Sequence, residues 1–202
     1  MIKPLRIVLF CILPLIYTAP LKATTSCPTW PYWTLATAGL GFSAATMQAM
    51  GAWYSSKAVN QLNATTKIDG TAHADWALRC AELTGAFAAW LGFVNTILII
   101  VGILNTELSA VTLVEEANSN IGQFASALRN IYYASWIVEG TSLLIAKLNP
   151  APIGRNLDIA LGFSWVSIIP ATLAWLAACV AVQARRPLMD AIGSTPVYYE
   201  KV

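Results

Sequence analysis

The stretch Trp33-Thr-Leu-Ala-Thr-Ala-Gly-Leu-Gly-Phe-Ser-Ala-Ala-Thr-Met-Gln-Ala-Met-Gly-Ala-Trp53, followed by Tyr54, carries no charge and is rich in small residues. As a helix rising about 1.5 Å per residue, Thr34 to Ala52 matches a hydrocarbon layer about 30 Å thick. Trp33, Trp53 and Tyr54 then stand where aromatic side chains settle at the two membrane interfaces. Working outward, the same alternation of long apolar run and polar punctuation recurs at residues 80–104, 130–148 and 159–183. Each is long enough to cross a bilayer with some tilt. The expected fold class is all-α: a multi-pass membrane helix bundle of four transmembrane helices.

Composition agrees with lipid as the solvent. The chain is 57% hydrophobic and 11% charged, whereas ordinary soluble domains hold roughly 45–50% and about 25%. Its first segment differs in kind from the rest. Lys3 and Arg6 precede an apolar core of 11 residues, Ile7 to Tyr17, and a polar stretch containing Lys22-Ala23-Thr24-Thr25 follows. That pattern predicts a secretory signal peptide, residues 1–23, with Leu21 and Ala23 at the −3 and −1 positions of the cleavage site. Loss of Lys3, Arg6 and Lys22 leaves 9 basic against 10 acidic residues and a formal charge of −1. No basic patch for nucleic acid is left. The remaining division is a transmembrane region at 24–186 and a short polar tail at 187–202.

Small residues set the expected helix contacts. In the first span they fall at Thr37, Gly41, Ala45 and Ala49, and in the second at Ala81, Gly85 and Ala89 and at Ala88, Gly92 and Thr96. A spacing of four places each set on one helix face, where two backbones can approach closely in lipid. Gly41, Ala45, Gly85, Ala89 and Gly92 are therefore the candidate packing residues, either within a hairpin of the first two spans or against a partner subunit. Ser55 to Asp75 reads as a polar loop, and its Asn63-Ala64-Thr65 fits a glycosylation acceptor. Beyond Asn105 the pattern becomes amphipathic, with Leu108, Val111, Val114, Ala117, Ile121, Phe124 and Leu128 recurring every three or four residues. Residues 107–129 are expected to form a helix packed against protein or lying at the interface. Asn149-Pro150-Ala151-Pro152 is a tight connector, and Pro170 should kink the last span.

Threading is left open by charge alone. With the signal removed, Lys57, Lys67, Arg79, Lys147 and Arg155 fall on the cytoplasmic side and Arg129, Arg185, Arg186 and Lys201 outside. A rival arrangement retains the first segment as a span and places 33–54 in an extracellular loop. It would put Cys27 and Cys80 on one side, where a disulfide is possible.

One buried charge stands out. Glu139 lies in the middle of Ile131-Tyr-Tyr-Ala-Ser-Trp-Ile-Val-Glu-Gly-Thr-Ser-Leu-Leu-Ile-Ala146. A central acidic residue costs about 2.5–3.5 kcal/mol on insertion scales, so such a group faces the bundle interior, pairs, or stays protonated. Asn95, Ser164 and Ser167 are candidate partners, as is the Arg79/Glu82 region, although Arg79 and Glu82 have the spacing to satisfy each other. Catalytic, metal and cofactor signatures are lacking: the chain has one histidine, His73, and its cysteines are too dispersed for a zinc or cluster motif. It also lacks the Gly-Leu-Trp and paired-cysteine loop of claudin-type proteins and the Cys-Cys-Gly of tetraspanins. Two functions are expected of such a chain. One is a non-catalytic integral subunit of a larger envelope complex, of secretion or conjugation type, contacting the bilayer and other membrane subunits or copies of itself. The other is a small channel, transporter or proton-coupled protein using Glu139. The expected location is a bacterial inner membrane or plasma membrane.

Overall fold

The computed structural model describes residues 29–65, 72–104, 120–149 and 153–193. The expected signal peptide, Cys27 and residues 107–119 of the amphipathic segment lie outside these. Every element among the described residues is helical and none is a strand. The helices are α1 (Trp30–Thr65), α2 (Ala72–Leu104), α3 (Asn120–Leu148), α4 (Arg155–Val166) and α5 (Ile168–Gly193). Two helical rods, Ala72–Leu104 and Arg155–Arg185, are long and apolar enough to cross a membrane.

α1 and α2 pack against each other along their lengths, α3 packs along α2 beside α1 so that Gly85 and Gly92 meet residues of both, and α4 and α5 pack on α1. Contact between α3 and α4 closes one end of the bundle. The α1–α2 contact is antiparallel, as its close approaches show. A Cβ on Gly41 would sit 2.6 Å from Thr96 Cγ2, one on Gly92 would sit 3.2 Å from Ala45 Cβ, and one on Gly85 would sit 3.2 Å from Ala52 Cβ. Gly41, Ala45, Gly85, Ala89 and Gly92 are all buried. Ala49 is exposed instead. The buried line of α1 runs through Thr37, Gly41, Ala45, Gln48, Ala52, Ser55, Val59 and Leu62, with steps of four and three alternating from Gly41 onward. A strict step of four rotates about 40° per step away from one face of a helix with 3.6 residues per turn, so the alternating step is what keeps a face on its neighbour.

Several boundaries differ from the sequence expectation, and for a common reason. Residues 55–65 are not loop but the last turns of α1, and α2 begins at Ala72 rather than residue 80. Ala58, Val59 and Leu62 bury against Ala74, Ala77, Leu78, Ala81, Leu143, Ala146, Leu157 and Ala160. Asn60, Gln61 and Asn63 are merely the outward face of that amphipathic end. Residues 120–129 form the opening turns of α3, and the expected tail is helical as far as Gly193.

The last expected span is two helices, α4 and α5, meeting at Ser167. Pro170 accounts for this, since it offers no N–H to the carbonyl of Val166 and its ring crowds that turn. Side chains satisfy the backbone around the break. The Trp136 indole N–H donates to Ser164 O at 2.7 Å and to Ser167 Oγ at 2.9 Å, and the Ser167 hydroxyl donates to Ser164 O at 2.7 Å.

A test of this packing uses two glycines in opposite settings. Gly92→Leu drives side-chain atoms into Tyr132 and Ala45, while Gly162 has nothing within 4 Å of its absent Cβ. Overpacking at Gly92 should cost about 1–3 kcal/mol. Gly162→Leu should leave stability nearly unchanged. The check is the midpoint of SDS-induced unfolding of the purified protein in mixed micelles.

Candidate functional site

Glu139 is fully buried and projects from α3 into the centre of the bundle. Room for it exists because two facing helices carry glycine at its level. A Cβ on Gly51 of α1 would lie 2.8 Å from Glu139 Oε1, and one on Gly85 of α2 would lie 2.6 Å from the same oxygen. The Gly51 position is also 3.6 Å from Ala160 O and from the Ser164 backbone nitrogen, so α4 completes the wall. Neither carboxyl oxygen has a hydrogen-bond partner. The nearby Gln48 side chain and the Ser164 hydroxyl are likewise fully buried and unpartnered. A buried polar group without a partner costs about 1–3 kcal/mol, so three around one point mark a place held together by the rest of the packing.

Tyr132, two turns before Glu139 on α3, faces Gln48 without reaching hydrogen-bond geometry. Its ring packs over Gly92, 2.9 Å from where a Cβ would be. From Tyr132 a crevice continues away from Glu139, lined by Thr37, Asn95, Thr96, Arg129 and Tyr133 on its polar side and by Ala174 and Trp175 of α5. Its cavity is about 30 Å³, enough for a water molecule or two.

The expected partners of Glu139 divide accordingly. Ser164 is brought to its level, while Ser167 is engaged with Trp136 and Ser164 O. Asn95 is not brought to it. It stands ten residues beyond Gly85 on α2, about 15 Å along the axis, in the crevice beside Tyr132. The cavity associated with the Pro170 turn is therefore at the Tyr132 level, and Glu139 does not line it. Arg79 pairs with Asp75, its Nε donating to Oδ2 at 2.9 Å, rather than with Glu82. The i,i+4 pairing reaches along one face of the first turns of α2, and Glu82 stands half-buried one turn further on. Lys147 of α3 pairs with Asp158 of α4 at the same end of the bundle.

Three residues around the candidate site escaped the sequence reading. Gln48 and Gly51 lie inside the opening stretch, where one amide among small residues is the signal for an interior polar position. Tyr132 reads as an interfacial aromatic until its packing over Gly92 is seen. Comparison with family models, with curated proteins and with solved structures finds no match.

The notch makes a specific prediction. Gly85→Ala forces the Glu139 carboxyl to move and should destabilise the bundle, whereas the same substitution on a Glu139→Ala background meets an emptied site. A double-mutant cycle should give a coupling of about 0.5–3 kcal/mol, the range for residues in direct contact. Additive effects in SDS unfolding would mean that the two residues do not share the site.

Proposed function

We propose that the chain is an integral membrane protein whose four helical rods each cross the bilayer after a cleaved signal peptide at residues 1–23. In this reading it serves as a non-catalytic subunit of a larger envelope complex, of secretion or conjugation type, in a bacterial inner membrane or plasma membrane. The observation that carries the membrane reading is the inverted distribution of side chains. Alanine, glycine and a set of buried serines, threonines and Gln48 share the interior with Leu62, Leu78, Ile103, Leu143 and Leu157, while Leu35, Trp53, Leu83, Trp90, Ile137, Trp165 and Leu176 point outward. Only 39% of the apolar window of Ala72–Leu104 and 33% of that of Arg155–Arg185 is buried. The core helix of a water-soluble protein would be mostly covered. An outward apolar surface of this extent needs lipid or a partner.

Two cation–aromatic contacts support the depth. Lys57 Nζ lies 4.0 Å from the Trp53 ring centroid and Arg185 lies 5.2 Å from that of Trp30. These contacts lie towards opposite ends of α1, at the levels where amphipathic anchors meet water. Because α1 packs antiparallel along α2, α1 shares its depth, which favours four spans over the threading that leaves 33–54 in a loop. Support for a subunit comes from the outward side of α1. Gly39 has nothing within 4 Å of its absent Cβ, and the hydroxyls of Ser43 and Thr46 fold back onto the carbonyls of Gly39 and Phe42. Such a smooth outer face is a docking surface for another helix.

The second reading, a proton-coupled protein using Glu139, is favoured by the unpartnered carboxyl at the glycine notch. Purification in mild detergent separates the two. Stable partners that are lost in Gly39→Leu, with the fold intact, are the expected result for a subunit. A solitary homo-oligomer that carries ion flux in liposomes and loses it in Glu139→Gln would replace that reading with the second.

A further inference from the structure

On the Arg129 side of Glu139 a file of polar side chains runs beside the apolar clusters of Leu40 with Ala174 and Ala177 and of Ile99 with Ile103, whereas the Lys147 side is mainly apolar. Towards the Arg129 end lie Gln48, Tyr132, Thr96, Thr37 and Asn95, leading into the crevice. Towards the Lys147 end the bundle is sealed by Leu62, Leu78, Leu143 and Leu157 together with buried alanines. The seal is about 12 Å deep from Glu139 to Lys147 at 1.5 Å per residue. Two buried hydroxyls fall on that side, Ser142 of α3 and Ser55 of α1, and that of Ser55 is spent on the carbonyl of Gly51 at 2.9 Å. The polar side also has an opening. α3 and α5 make little contact with each other, and the crevice lies between them over α1 and α2.

We infer that Glu139 is a proton-binding site with access from one side only, along Tyr132 and Gln48 from the crevice bounded by Asn95 and Arg129. This rests on the second reading above and adds to it the route and its closed end. The groups around the carboxyl are Gly51 and Ala52 from α1, Gly85 from α2, and Ala160 and Ser164 from α4, with Gln48 one turn before Gly51 on α1. Tyr132 of α3 is the titratable group beside them, and Glu82 stands a turn towards the sealed end, half-buried. None of these is a cation, so a bound proton is what neutralises the carboxyl. The exchange involves no covalent change: the proton leaves a carboxyl oxygen and passes along water or the Tyr132 hydroxyl. Gln48 and Ser164 supply polar atoms on either side of the notch that can hold the neutral and the charged form in turn.

The test uses the full chain in native membranes, with its cysteines replaced by serine. Dicyclohexylcarbodiimide should modify Glu139, read by mass spectrometry, and the labelling rate should fall about tenfold per pH unit once the group ionises, the slope for one proton. Single cysteines at Asn95 and Gln48 should react with a small charged methanethiosulfonate, while cysteines at Leu143 and Ala77 should not. Unmodified Glu139 overturns the site and the proton-coupled reading together. Modified Glu139 with reactive thiols at Leu143 and Ala77, and unreactive ones at Asn95 and Gln48, overturns the route alone. Protection by sodium ions in place of the pH dependence would make this a metal-cation site and overturn the proton assignment.

Discussion

The close approach of α1 to α2 is the constraint on which the bundle depends. In the membrane proposed above there is no gain from removing apolar surface from water, so helices associate through dispersion and a few hydrogen bonds. Both need short distances. The approaches between Gly41 and Thr96, between Ala45 and Gly92, and between Ala52 and Gly85 provide them along most of both helices. They also determine what the interior can hold. Where Gly51 and Gly85 face α3 the two backbones leave a notch the size of a carboxyl group, and Glu139 fills it. The residues that bind the first two helices together are thus the ones that make a charged side chain admissible at the centre.

The break at Ser167 sets the second asymmetry. Pro170 interrupts one long rod, and the two segments take different neighbours: α4 packs on α1 and α3, whereas α5 packs chiefly on α1. Trp136 holds this joint from α3 by donating its indole N–H to both serine oxygens. Past the joint α5 no longer closes against α3, and the polar crevice occupies the resulting gap. Ahead of it α4 contributes Leu157 and Ala160 to the apolar seal. The crevice and the apolar clusters around Leu40 and Ile103 thus lie past the joint, and the Leu157 cluster lies ahead of it.

How much of this could be read from the sequence depends on the range of the signal. Gly41, Ala45, Gly85, Ala89 and Gly92 were legible because small residues four apart share a helix face. Ala49 was misassigned because a strict step of four winds off that face after two or three steps. The end of α1 was hidden by composition: Asn60, Gln61 and Asn63 dominate it, while Ala58, Val59 and Leu62 carry the burial. Glu139 was visible as the charge in an apolar run. Its surroundings were not, because the depth at which α3 meets α1 and α2 depends on tilt and on the stretch between Leu104 and Asn120, neither of which local periodicity encodes. Asn95, an attractive partner by residue type, is about three turns away for that reason. The predicted kink at Pro170 was sound in its location, but its effect on the cavity depended on which neighbour each segment chose.

The arrangement around Glu139 also bears on why an acidic residue stands there. A carboxyl whose task is to tie helices together gains by being bonded at rest, and Ser164 on α4 and Gln48, one turn before Gly51 on α1, are the buried polar side chains nearest in level to it. Instead all three polar groups are buried and unpaired around a notch walled by glycine. Alanine at Gly51 or Gly85 would crowd the carboxyl, while glycine leaves it free to shift between neighbours. A group that exchanges a proton must lose and regain its charge without moving the backbone, and this requires polar atoms within reach but none permanently engaged. A fixed tie explains the burial of Glu139. The proposed exchange would account for the burial, the two glycines and the polar file that leads from Tyr132 into the crevice.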